Sequence, residues 1–212
     1  MLKRLVELGV VLPLPAASAF VIGLHEAQRA VLLAAGCVDG EDAVAAPRKL
    51  TRSERAAFSD APAALDRLAD LGVVERPSEA ARFVLGLPEP LFAALVAAGC
   101  VDAHGELAAP RKLTRGERSA FSDAAVALDR LADLGVVARP SEAARFVLGL
   151  PEPLFAALVA AGCVDAHGEL AAPRALVKEE RAVFTPALLA QLISRGVLLK
   201  AGAASASASP GM

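Results

Sequence analysis

Three cysteines, Cys37, Cys100 and Cys163, each follow a glycine directly and lie 63 residues apart. Two of them open a Cys-x-Asp-x-His pattern: Cys100, Asp102, His104 and Cys163, Asp165, His167. In the first copy Glu41 stands in place of the histidine. A thiolate beside an imidazole is the core of a nucleophilic site, and Cys with His is a zinc-ligand combination. Each cluster, however, offers two good nitrogen or sulfur ligands where a structural zinc takes four. A catalytic pair also needs an oriented base and an oxyanion site in one cleft, and two tandem copies of such a pair would be unusual. The expectation is therefore three small, buried apolar cysteines, with no catalytic residue, no metal and no cofactor.

Other chemistry is equally sparse. The chain has no G-x-S-x-G, Walker A, dinucleotide-binding glycine pattern or H-E-x-x-H. Asp66 and Asp70 sit at i, i+4 with Arg67 between them, a solvated helix face rather than a general acid and base. The basic run Arg48-Lys49-Leu50-Thr51-Arg52 recurs as Arg111-Lys112-Leu113-Thr114-Arg115. With Arg29, these residues are the phosphate-contact candidates: Arg48, Lys49, Arg52, Arg111, Lys112 and Arg115. The competing reading of the same run is a solvated face or salt bridges between repeats.

The elements that position these residues are written in a repeat. Residues 45–107 recur at 108–170 with only five differences: Ser53/Gly116, Ala56/Ser119, Pro62/Ala125, Ala63/Val126 and Glu75/Ala138. Residues 2–47 align on 65–110 at the same offset, matching at about half the positions. Leucines at i, i+3 and i+4, as in Leu65, Leu68 and Leu71, predict helices with one buried stripe. Glycines at 9, 36, 72, 99, 135, 162 and 196 fit the left-handed position after a helix. Thr51 with Glu54 is a capping box, and Pro77-Ser78 another helix start. No alternating run is long enough for a strand pair, so short apolar stretches such as Val73-Val74 can form small bridges at most.

The predicted fold is all-α: a tandem repeat of helix-turn-helix hairpins, two per 63-residue period, forming a short α-solenoid-like array. Its expected divisions are a divergent partial repeat at 1–47, repeats at 48–110 and 111–173, a truncated terminal hairpin at 174–200 and a flexible tail at 201–212.

Composition agrees with helix. The chain has 212 residues, 55% hydrophobic but only 4% aromatic, with no Trp or Tyr. A formal net charge of −2 excludes a generally basic nucleic-acid binder. Leu8–Leu24 is uncharged and Lys3-Arg4 precedes it, which imitates a leader sequence. The stretch also aligns in register with residues 65–87, so it is read as a structural unit of a cytoplasmic protein without a membrane span.

Ser78-Glu79-Ala80-Ala81-Arg82-Phe83, Gly86, Leu91, Leu95 and Gly99 together resemble the helix-turn-helix of excisionase and MerR-type DNA-binding proteins. The likeness covers about 22 residues per repeat and returns at 141–162. It implies DNA binding through tandem hairpins. The segment Glu89–Ala98, which would enter the major groove, carries no Arg, Lys, Asn or Gln to read base edges. The expected function is therefore non-enzymatic: a structural, assembly or protein-interaction role with a protein partner or self-assembly. Leu91, Phe92, Leu154 and Phe155 are the partner-contact candidates, although inter-repeat core is the stronger reading of the same positions; DNA binding through the basic runs is the alternative.

Overall fold

The computed structural model describes residues 15–200. In chain order a short helix alternates with one of nine residues. The helices are α1 (Ala16–Ile22), α2 (Glu26–Ala34), α3 (Arg52–Ala56), α4 (Pro62–Asp70), α5 (Glu79–Leu85) and α6 (Glu89–Ala97). They continue as α7 (Arg115–Ser119), α8 (Ala125–Asp133), α9 (Glu142–Leu148), α10 (Glu152–Ala160), α11 (Lys178–Arg181) and α12 (Pro186–Ser194). The protein is all-α. The described residues hold only isolated β-bridges, such as Val101 with Leu107 antiparallel and Arg48 with Val74 parallel. No single helix among them is long and apolar enough to cross a membrane.

Helices this short do not persist alone in water, because nucleation costs more than so few hydrogen bonds return. Caps and burial hold them. Thr51 Oγ1 accepts from Glu54 N at 3.3 Å while Glu54 Oε2 accepts from Thr51 N at 2.7 Å, a reciprocal box repeated by Thr114 and Glu117. Ser78 and Ser141 cap α5 and α9 through Ala81 N and Ala144 N, each at 3.1 Å. Each nine-residue helix buries a leucine completely, among them Leu68 in α4, Leu95 in α6 and Leu131 in α8. Burying such a side chain contributes about 2 kcal/mol in transfer free energy.

Two compact units are defined by backbone proximity. One comprises the described residues up to Pro88 together with Val101–Ala108; the other comprises Glu89–Cys100 and the described residues from Ala109 onward. Both therefore draw on segment 48–110. In the first unit Val21, Leu32, Leu50, Phe58 and Leu68 form the centre of the core. In the second, Val147, Leu158, Phe184 and Leu192 do so.

The turn after Val101 has a tight steric requirement. Gly105 has φ +75°, and a Cβ there would lie 2.8 Å from Leu85 Cγ. At the equivalent place in the first copy Asp42 adopts φ 59°, a conformation Asp tolerates better than most residues. There Ile22, 45% exposed, stands where Leu85 stands in the second copy.

Truncating Leu131 to Ala should lower unfolding stability by about 3 kcal/mol, since it empties a closed site. Val126, 84% exposed on the same helix, should change stability by less than about 0.5 kcal/mol on the same truncation. Urea unfolding of the two variants followed by circular dichroism measures both; equal losses would contradict this packing.

Candidate functional site

Cys37, Cys100 and Cys163 are all fully buried. Burial pushes each thiol up from its ordinary value, against a partly offsetting neighbouring arginine: Arg48, Arg111 and Arg174 respectively. A raised, buried thiol is a poor nucleophile and a poor ligand. The Cys-x-Asp-x-His pattern has a local use instead. Asp102 Oδ1 accepts from His104 N at 2.8 Å and Glu106 N at 2.9 Å, shaping the turn that Gly105 completes. Asp165 does the same for His167 and Glu169, and Asp39 for Glu41 and Ala43. Among the described residues no three His, Cys, Asp or Glu side chains converge as metal ligands would.

The basic runs are bonded within the chain. Arg174 shows the arrangement of the first arginine: Nε donates to Ala161 O at 2.6 Å and Nη2 to Glu180 at 2.5 Å. Arg111 bonds Ala98 O and Glu117, and Arg48 bonds Glu54 at 2.6 Å. Each guanidinium thus holds the carboxylate that accepts from the backbone N–H of the residue just before the following short helix. Its own backbone bridges the strand-like residue after the next long helix, Arg111 with Val137 and Arg174 with Leu198. The hydrogen bond from Arg111 is the main cause that draws Glu117 below the usual carboxylate range, and Arg174 acts likewise on Glu180.

The second arginine of each run is a helix-end donor. Arg52 Nη1 reaches Leu85 O at 3.0 Å and Nη2 reaches Leu87 O at 2.5 Å, satisfying carbonyls at the end of α5. Arg115 repeats this on Leu148 O and Leu150 O, pairs with Glu152 at 2.8 Å, and lies 4.7 Å from the Phe155 ring centroid. Lys49 pairs with Glu106 at 3.0 Å, Lys112 with Glu169 at 3.0 Å, and Arg29 with Asp42. All seven residues expected to meet phosphate already have partners within the chain.

Of the two readings of the apolar candidates, core rather than partner contact fits three of the four. Leu91, Phe92 and Phe155 are 8%, 7% and 6% exposed, and Leu154 is half-buried. The spacing on α6 and α10 puts Leu91, Phe92 and Phe155 in the core, where they cannot serve as a displayed contact surface.

A different set of cations was missed. Among the described residues the guanidinium groups of Arg55, Arg82, Arg118 and Arg145 form no ion pair or hydrogen bond. Arg55 and Arg82 line one small recess with Asp66, Glu75 and Pro77; Arg118 and Arg145 line its counterpart with Asp129, Ala138 and Pro140. Burial, then the facing arginine, lowers the pKa of Arg55 and of Arg118, opposed by Asp66 and Asp129. The only sequence signal was the difference between copies at Glu75 and Ala138. No family profile, curated protein or solved structure matches the chain.

Because Glu117 has a depressed folded-state pKa, its contribution to stability is complete above the unfolded carboxylate value and lost as pH falls through the folded one. Unfolding stability measured from pH 6 down to about pH 3 should therefore decline more steeply in the wild type than in Glu117→Gln. Parallel curves would remove the assigned role. Val177, which offers no side-chain acceptor at the start of α11, gives a complementary test. Val177→Thr should complete the box with Glu180 and raise stability by about 1 kcal/mol, read from the urea midpoint.

Proposed function

We propose that the chain is a non-enzymatic helical-repeat protein with a structural, assembly or protein-interaction role. In this reading the alternating short and long helices are stacked hairpins of a 63-residue module, and the likeness to excisionase and MerR-type motifs reflects shared hairpin geometry. The observation that carries it is where the module's reactive and basic groups are used. The thiols are buried, the Asp side chains shape turns, and the six cations of the basic runs, like Arg29, bond carboxylates or carbonyls within the chain. Chemistry that an enzyme or a base-reading protein would display is committed to holding the helices together. Even Gln28, one of the few polar groups on a long helix, is buried and donates to Ala57 O at 3.4 Å.

The face that supports partner contact lies on the last helices. A recess between α11 and α12 is lined by Leu176, Arg181, Leu189, Ile193, Leu198 and Leu199. Leu199 is 40% exposed there, and Val183, between the two helices, is 56% exposed. Apolar surface rimmed by one cation is the composition of a docking surface. It replaces the buried Leu91, Phe92 and Phe155 as the proposed contact.

Light scattering after size exclusion, with wild type and Leu199→Lys compared, tests this. The wild type should elute as a self-associated species or retain a protein from its native host. The variant should lose that association while its far-UV circular dichroism is unchanged. A wild type that stays monomeric and retains nothing would overturn the interaction reading.

A further inference from the structure

We propose that Arg118 and Arg145 form a binding site for a phosphate group, and that Arg55 and Arg82 form a weaker copy of it. The site lies beyond the interaction surface proposed above and does not depend on it. Each arginine pair belongs to one compact unit, and the lining residues occur at matching places 63 positions apart.

The geometry is that of an oxyanion receptor. Like charges are held near each other at one recess, where they repel unless an anion is shared between them. Within the chain other cations resolve this with carboxylates: Arg139 pairs with Asp133, and Arg76 with Asp70 at 2.5 Å. Arg118 and Arg145 do not. Asp129 acts on Arg118 through space, so the two guanidinium charges outweigh the one unpaired carboxylate that lines the recess. The recess itself, about 20 Å³, admits one oxygen-sized group between walls from Leu128, Val137 and Pro140. Arg118 also lines a wider cleft of about 220 Å³ with Arg115, Ser119 and Leu148, so its guanidinium borders both spaces. Planar guanidinium forks match the several acceptor oxygens of phosphate better than a lone carboxylate would use them.

The differences between the copies rank the sites. Glu75 lines the first recess, whereas Ala138 takes its place in the second. Glu75 is itself held only by an exposed contact with Lys49 at 3.9 Å, so its charge still opposes an anion at Arg55 and Arg82. Ser119, which replaces Ala56, gives its hydroxyl proton to Gly116 O at 2.6 Å and so adds no donor for the anion. The loss of the Glu75 carboxylate at Ala138 is therefore the substitution that favours an anion at the second site.

The test is titration of the ¹⁵N-labelled full chain with inorganic phosphate at constant ionic strength, following arginine Nε–H resonances assigned with Arg118→Lys and Arg145→Lys. Arg118 and Arg145 should shift together and saturate at about tenfold lower phosphate than Arg55 and Arg82. Ala138→Glu should bring the second site to the level of the first, and Glu75→Ala should raise the first toward the second. Both changed side chains lie at exposed or half-buried positions, so the fold is retained. No saturable shift, equal response to chloride, or stronger competition by polyglutamate than by phosphate would overturn the proposal. A parallel arm with a short DNA duplex identifies the source. Shifts of the same resonances at lower phosphate-group concentration assign a phosphodiester backbone; a response to inorganic phosphate alone assigns a small phosphate ligand.

Discussion

The contact on which the rest of the molecule depends is the arginine that joins a helix end to a helix start. Arg111 takes the carbonyl of Ala98 at the end of one helix and the carboxylate of Glu117 at the beginning of another. Those are the two places where a helix leaves backbone groups without partners. One planar side chain thus serves both, and it does so beside the buried thiol of Cys100. The bond to Glu117 also fixes that carboxylate on Thr114 N at 2.8 Å, so the capping box and the bridge are a single network. Helices of four to nine residues survive because their ends are tied to one another and their leucines are closed in.

The same constraint explains why the surface is chemically quiet. A short module spends a large share of its polar side chains on its own ends. Arg52 on the carbonyls of α5, Asp102 on two backbone amides and Lys49 on Glu106 are each such an expenditure. Against that background the unpaired arginines at each recess and the apolar hollow between α11 and α12 are informative.

Local features were legible in the sequence and through-space ones were not. Thr51 and Glu54 announce a capping box because both partners lie within one turn, and Gly72 marks a helix end because its conformation is set by its neighbours. The burial of the cysteines followed from their apolar surroundings. The fate of Arg111 was hidden, because its carbonyl partner lies thirteen residues before it and its carboxylate six after. A run of positive charge reads as a surface until those partners are known. Leu91 and Phe92 stayed open between core and contact surface for a related reason: an almost wholly apolar helix such as α6 has no polar face in its sequence to say which side is covered. Arg55 and Arg82, twenty-seven residues apart, share no local pattern at all.

The turn at Gly105 has a consequence for how copies of this module drift apart. The missing side chain there answers to Leu85, whose Cγ would lie 2.8 Å from any Cβ. The glycine at 99 is different, with nothing within 4 Å of its notional Cβ, so only its backbone angle restrains it. Positions 85 and 105 are therefore sterically coupled, and substitutions at them should covary, whereas position 99 is free to exchange among residues that accept a positive φ. The first copy already records one such paired change, Ile22 with Asp42, inside a single chain.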